Sequence, residues 1–108
     1  MDLAQGHLAA LKYLSSSSFK GCGEWNLGTG KGSTVIDMIG AFSKAVGRDL
    51  PYRIEPRRAG DVLDLTANPS KANKELEWKA KKSLEEACAD LWRFTQANPW
   101  GYEKPPQE

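Results

Sequence analysis

The six residues Pro56-Arg57-Arg58-Ala59-Gly60-Asp61 hold the densest chemistry in this 108-residue chain. Two arginines sit just ahead of a carboxylate, and Ala59 and Gly60 leave room for a ligand to approach. A guanidinium is a planar fork whose donors match phosphate oxygens two at a time. A carboxylate accepts hydrogen bonds from sugar hydroxyls. Arg58 and Asp61 across a tight turn therefore suit a nucleotide's phosphate and ribose. They equally suit a solvent-exposed ion pair within the turn, worth roughly 0–1 kcal/mol. The residues alone leave both readings open.

A second candidate is Asn26–Thr34, NLGTGKGST, in front of a helical pattern. An ATPase-type phosphate loop requires a glycine, four intervening residues, the Gly-Lys pair and then Ser or Thr. Trp25 and Gly32 stand at the first and last of those places. The dinucleotide fingerprint G-x-G-x-x-G fits Gly28 and Gly30 but meets Ser33 at its third glycine. What remains is a flexible turn before a helix that Ser33 can cap, with free amides attractive to an anion. The competing reading is a glycine-rich turn that packs and binds nothing.

Composition narrows the classes. A formal net charge of +1 gives no overall field to recruit nucleic acid or a membrane surface. Lys71, Lys74, Lys79, Lys81 and Lys82 alternate with Glu75 and Glu77, the pattern of a solvated face. Cys22 and Cys88, with no secretory signal, point to a reduced, cytoplasmic setting. A single pair of cysteines without a repeated C-x-x-C offers no zinc site, and His7 is the sole histidine. No apolar run approaches membrane-spanning length.

The elements that must position these residues read as α/β, with more helix than strand. Asp2 can cap a first helix that carries Leu3, Leu8, Leu11 and Leu14 as its apolar set. Glu24–Gly28 reads as a short strand ending at the glycine turn. The next helix buries Val35, Ile36, Met38, Ile39, Phe42 and Val46, and Gly47 stops it. Pro51–Pro56 alternates like a strand. Asn68-Pro69 opens a short helix through Leu76 and Trp78. Ser83 and Glu86 form a capping box for a last helix with Leu84, Ala87, Cys88, Leu91, Trp92 and Thr95 at helical spacing. A chain of this size is expected to bury about two thirds of its unfolded surface.

Taken together and in order, NLGTGKGSTV, PRRAGD and LEWKAKKSLEEACADLWRFTQANPWGY resemble the C-terminal part of UDP-glucose (UDP-galactose) 4-epimerases, members of the extended short-chain dehydrogenase/reductase superfamily. The opening MDLAQGHLAAL is similar to an internal helix of the same enzymes, and the wording is nearest to fungal members, often fused to a mutarotase domain. The resemblance implies a helix-rich substrate-binding part, residues 1–102, followed by a tail or linker, 103–108. It implies that Arg58 grips the UDP diphosphate and Asp61 binds the ribose hydroxyls. Val35 would line the nucleotide part of the pocket, and Leu65 would stand where the family sets sugar size. The glycine turn would then be part of the UDP-sugar wall and not a phosphate loop.

The family's reaction also needs NAD on an N-terminal Rossmann domain and a Tyr-x-x-x-Lys pair. Tyr13, Tyr52 and Tyr102 are followed four residues later by Ser17, Pro56 and Pro106. The expectation is a catalytically inert, substrate-side fragment that binds no NAD itself. Its partners would be a UDP-sugar, the missing Rossmann domain and further copies of itself through exposed apolar surface. Rival readings are a related UDP-sugar decarboxylase or dehydratase, and a free-standing nucleotide-sugar-binding module.

Overall fold

The computed structural model describes residues 1–103, so the expected tail lies, apart from Glu103, outside the described residues. Four helices form: α1 (Asp2–Leu14), α2 (Val35–Val46), α3 (Ser70–Glu75) and α4 (Leu84–Ala97). Among the described residues there is no strand, which corrects the α/β expectation to a helical one. Glu24–Gly28 and Pro51–Pro56 have the right pattern, but a strand exists only through a neighbour that shares its backbone hydrogen bonds. Neither segment finds one among the described residues.

The chain divides into two units, each built from two separate stretches. The first comprises Met1–Gly32 and Pro56–Lys82. Its core is Ala72, Leu76 and Trp78, with Ala9, Ala10, Tyr13, Trp25, Leu27 and Ala80 packed around them. Gly6, Ala9, Ala10 and Tyr13 recur at helical spacing, so the face of α1 that turns inward is its small-residue face. Leu3, Leu8, Leu11 and Leu14, expected as the buried set, are exposed, Leu8 by 65 %. Periodicity finds an apolar stripe, but it does not say whether the stripe meets the chain's own core.

Three polar ties close this unit. The Asp2 carboxylate, expected as a helix cap, accepts the backbone N–H groups of Lys81 and Lys82, each at 2.7 Å. The Trp78 indole donates to the Asp2 carbonyl at 2.9 Å. The Trp25 indole donates to Glu75 at 2.7 Å, while the Lys71 ammonium lies 5.5 Å from the Trp25 ring centroid. α3 starts later than expected: Asn68 Oδ1 accepts from the Ser70 N–H and hydroxyl, an Asx turn before the helix. It ends at Glu75, and Glu77 turns the chain at φ 51° so that Trp78 reaches the core.

The second unit comprises Ser33–Glu55 and the stretch from Ser83 on. α2 packs against α4, burying Ala41 and Cys88. Ile39, Phe42, Val46, Leu84 and Trp92 are half-buried, while Val35, Ile36, Met38, Ala87, Leu91 and Thr95 are exposed. The stripes expected to be buried on α2 and α4 are thus only partly covered. Thr34, one residue after the expected Ser33, caps α2: its side chain accepts the Asp37 N–H and Asp37 accepts the Thr34 N–H, both at 3.0 Å. Ser83 and Glu86 form the same box on α4, as expected.

The accessible surface totals 9504 Å². A folded monomer of 11.9 kDa leaves about 6,000 Å² open. Less than the expected two thirds of the unfolded surface is therefore buried, because these 108 residues do not cover their own apolar faces.

Candidate functional site

The turn that carries Arg58 and Asp61 lies in the first unit. The Asp61 N–H donates to the Arg58 carbonyl at 3.3 Å, and Gly60, third of the four residues, takes φ 85°. A turn of this kind needs positive φ at its third position, which is why glycine stands there. Across it the Arg58 guanidinium grips Asp61 with two hydrogen bonds, Nη2 to Oδ1 at 3.1 Å and Nε to Oδ2 at 3.3 Å. Of the two readings left open by the residues, the ion pair is thus present. It does not close the door on a ligand, because the Arg58 side chain is 86 % exposed and the pair is worth roughly 0–1 kcal/mol. Exchanging Asp61 for a phosphate costs the arginine little.

Leu65 lies four residues beyond Asp61 and is 90 % exposed. Val35 belongs to the second unit, where it is the first residue of α2 and 74 % exposed. Arg57 is exposed beside Arg58.

The glycine turn has a packing role. A Cβ on Gly28 would sit 2.9 Å from the Ala67 methyl, and one on Gly32 would sit 3.0 Å from the Thr66 hydroxyl. The turn lies against the segment Asp64–Ala67, closely enough that a Cβ on Gly28 would force a shift and one on Gly32 would crowd the Thr66 hydroxyl. Thr29 stitches the turn locally, accepting the Lys31 N–H and donating to the Lys31 carbonyl. The helix start that follows is already served. The capping box uses Asp37 as an internal anion, and hydrogen bonds from the Thr34 hydroxyl and then its N–H hold the Asp37 carboxyl below its ordinary pKa.

Other candidates fall away as chemistry. His7 hydrogen-bonds the Leu3 carbonyl through Nδ1 at 2.8 Å on the exposed side of α1. Cys22 is free and exposed, and Cys88 is free and buried. Among the described residues no group of three or more His, Cys, Asp or Glu is placed to hold a metal. None of the helices is long and apolar enough to cross a membrane. A groove of about 670 Å³ runs beside Gly40 and Tyr52 in the second unit, and one of about 570 Å³ beside Tyr13 and Leu76 in the first. Neither is lined by Arg58, Asp61, Leu65 or Val35. What sequence reasoning missed is the pairing of Thr66 with Asp64 at 2.5 Å beneath Leu65. The alternation Asp-Leu-Thr, polar on one side and apolar on the other, was its only signal.

No family model matches the chain. It is 58 % identical over 102 residues to the UDP-glucose 4-epimerase uge1 of Schizosaccharomyces pombe, covering 94 % of the chain and 28 % of that protein. It is 56 % identical over 104 residues to the bifunctional protein GAL10 of Pachysolen tannophilus, covering 95 % of the chain and 15 % of the relative. The UDP-glucose 4-epimerase of Bifidobacterium longum, crystallised with NAD+ and UDP, superposes with a TM-score of 0.82 at 40 % identity. That match covers 94 % of the chain and 29 % of the solved one. The chain therefore spans less than a third of the length of the proteins it matches. Both in sequence and in fold, the chain is a homologue of one part of the UDP-glucose 4-epimerases.

Proposed function

We propose that these residues form the UDP-sugar-binding side of a cytoplasmic, NAD-dependent UDP-glucose 4-epimerase that interconverts UDP-galactose and UDP-glucose. The observation that carries this reading is the match, over 94 % of the chain, to an epimerase whose crystals hold NAD+ and UDP. Arg58 exchanges Asp61 for the diphosphate, two oxygens to one fork. Asp61, released, accepts the ribose hydroxyls. Val35 contributes apolar surface to the nucleotide part of the pocket, and Leu65 bounds the sugar. A leucine there leaves more room than a tyrosine would, so an N-acetylated sugar is a candidate second substrate.

In such an enzyme NAD accepts and returns the hydride at C4 of the sugar. The residues present here do not fit that cofactor. Residues 64–67 lie against the glycine turn, and no tyrosine has lysine four residues on. No NAD contact is assigned to this chain. The cofactor domain would come from the part of the relatives outside the match, and the leucine face of α1 is the surface it would cover.

The test is a hybrid enzyme in which the 108 residues replace the matched segment of the S. pombe epimerase. The hybrid should turn over UDP-galactose. Arg58→Ala removes a charge-assisted contact of roughly 1.5–3 kcal/mol and should weaken UDP binding about 10- to 150-fold by calorimetry. An inert but folded hybrid, or an Arg58→Ala loss within assay noise, overturns the assignment.

A further inference from the structure

Asp64 and Thr66 both direct their side chains at Gly32: a Cβ there would lie 3.0 Å from Thr66 Oγ1 and 3.7 Å from Asp64 Oδ1. The two are also joined to each other, the Thr66 hydroxyl donating to Asp64 at 2.5 Å. Leu65, between them, is 90 % exposed and so faces away from the turn. One residue further on, the Ala67 methyl would stand 2.9 Å from a Cβ on Gly28. Neither Gly28 nor Gly32 takes positive φ, so backbone conformation does not demand glycine at these places. What demands it is the segment lying on them.

We propose that Gly28 and Gly32 are positioning residues for sugar selectivity: they form the seat on which Asp64–Ala67 rests, and the depth of that seat sets how far Leu65 projects toward the sugar. The inference rests on the reading of Leu65 as the residue that bounds the sugar, and adds what holds it there. Ala67 is the informative contact, because a β-methyl has no torsion to turn away and moves only with its backbone. A methyl added at Gly28 pushes the segment off the turn, in the direction Leu65 faces, and narrows the space for a bulky sugar. A separation of 2.9 Å is closer than two such carbons approach, so the exposed segment must shift to admit the added methyl.

The experiment uses the hybrid enzyme and reads selectivity as the ratio of the inhibition constant of UDP-N-acetylgalactosamine to the KM for UDP-galactose. Gly28→Ala should raise that ratio about tenfold or more, the range in which one methyl in a pocket discriminates. Adding Ala67→Gly to Gly28→Ala removes the opposing methyl and should return the ratio toward its starting value. Leu65→Tyr is the control on the underlying reading, and it too should raise the ratio. If Leu65→Tyr raises it while Gly28→Ala merely lowers the melting temperature and leaves the ratio in place, the seat is structural and the proposal is overturned. If Leu65→Tyr leaves the ratio unchanged, or the hybrid itself is inert, the reading of Leu65 falls and the proposal falls with it. Failure of the double substitution to restore the ratio overturns the mechanism through Ala67.

Discussion

Asp2 shows how one side chain can stand at a helix start and serve something other than the helix. Its carboxylate holds the two N–H groups of Lys81 and Lys82, far along the chain, and its carbonyl holds the Trp78 indole. The hydrogen bonds from Lys82 and then Lys81 lower its pKa below the ordinary 3.8. A carboxyl whose folded pKa is depressed contributes stability that is whole above its unfolded pKa and is lost as pH falls through the folded one. Stability should therefore be level above about pH 5 and decline below 3.8. Asp2→Asn should flatten that acid limb in urea unfolding followed by circular dichroism. An unchanged acid limb would remove Asp2 from the account. The sequence placed Asp2 at the helix start but not its partners, because nothing local ties residue 2 to residue 82. The Arg58–Asp61 pairing was at least one of two readings open in the sequence, because three residues and a glycine bring the two side chains within reach.

Among the elements, the caps divide what could be read from what could not. Ser83–Glu86 obeys its spacing rule and forms. Ser33 and Thr34 are both able to cap, and the choice fell to Thr34 because Asp37 lies three residues after it and completes the reciprocal box. Thr34→Ala and Ser83→Ala should each cost about 0.5–2 kcal/mol of unfolding free energy, while Ser33→Ala should be neutral. An equal cost at Ser33 and Thr34 would contradict the assignment of the cap. The leucines of α1 and the patterned segments at residues 24–28 and 51–56 were read as core and strands. Their periodicities are real, but among the described residues the leucine face is left open and the two extended segments find no strand partner. A one-dimensional pattern reports that a face is apolar, not which molecule lies against it.

For the molecule as a whole, 9504 Å² of accessible surface and open leucines on α1 make association the expected behaviour. The 108 residues on their own should self-associate with rising concentration in sedimentation, and Leu8→Glu with Leu11→Glu should return them to monomers. They should not turn over UDP-galactose, with or without added NAD, because no Tyr-x-x-x-Lys pair is present. Measurable turnover, or a monomer at all concentrations, would contradict this account. Family resemblance was visible from joint motifs, whereas the poor burial was not, because composition alone does not say how much apolar surface a chain covers for itself.

The chain passes between its two units at residues 32–33, 55–56 and 82–83. Neither unit is a continuous piece of polypeptide, so neither can be moved between genes by a single insertion. During synthesis the first unit waits for residue 82 to leave the ribosome, and by then Ser33–Glu55 has already emerged and must idle without α4. The two units thus mature almost together, near the end of translation of these residues, and a stall before Ser83 would strand the second unit half made.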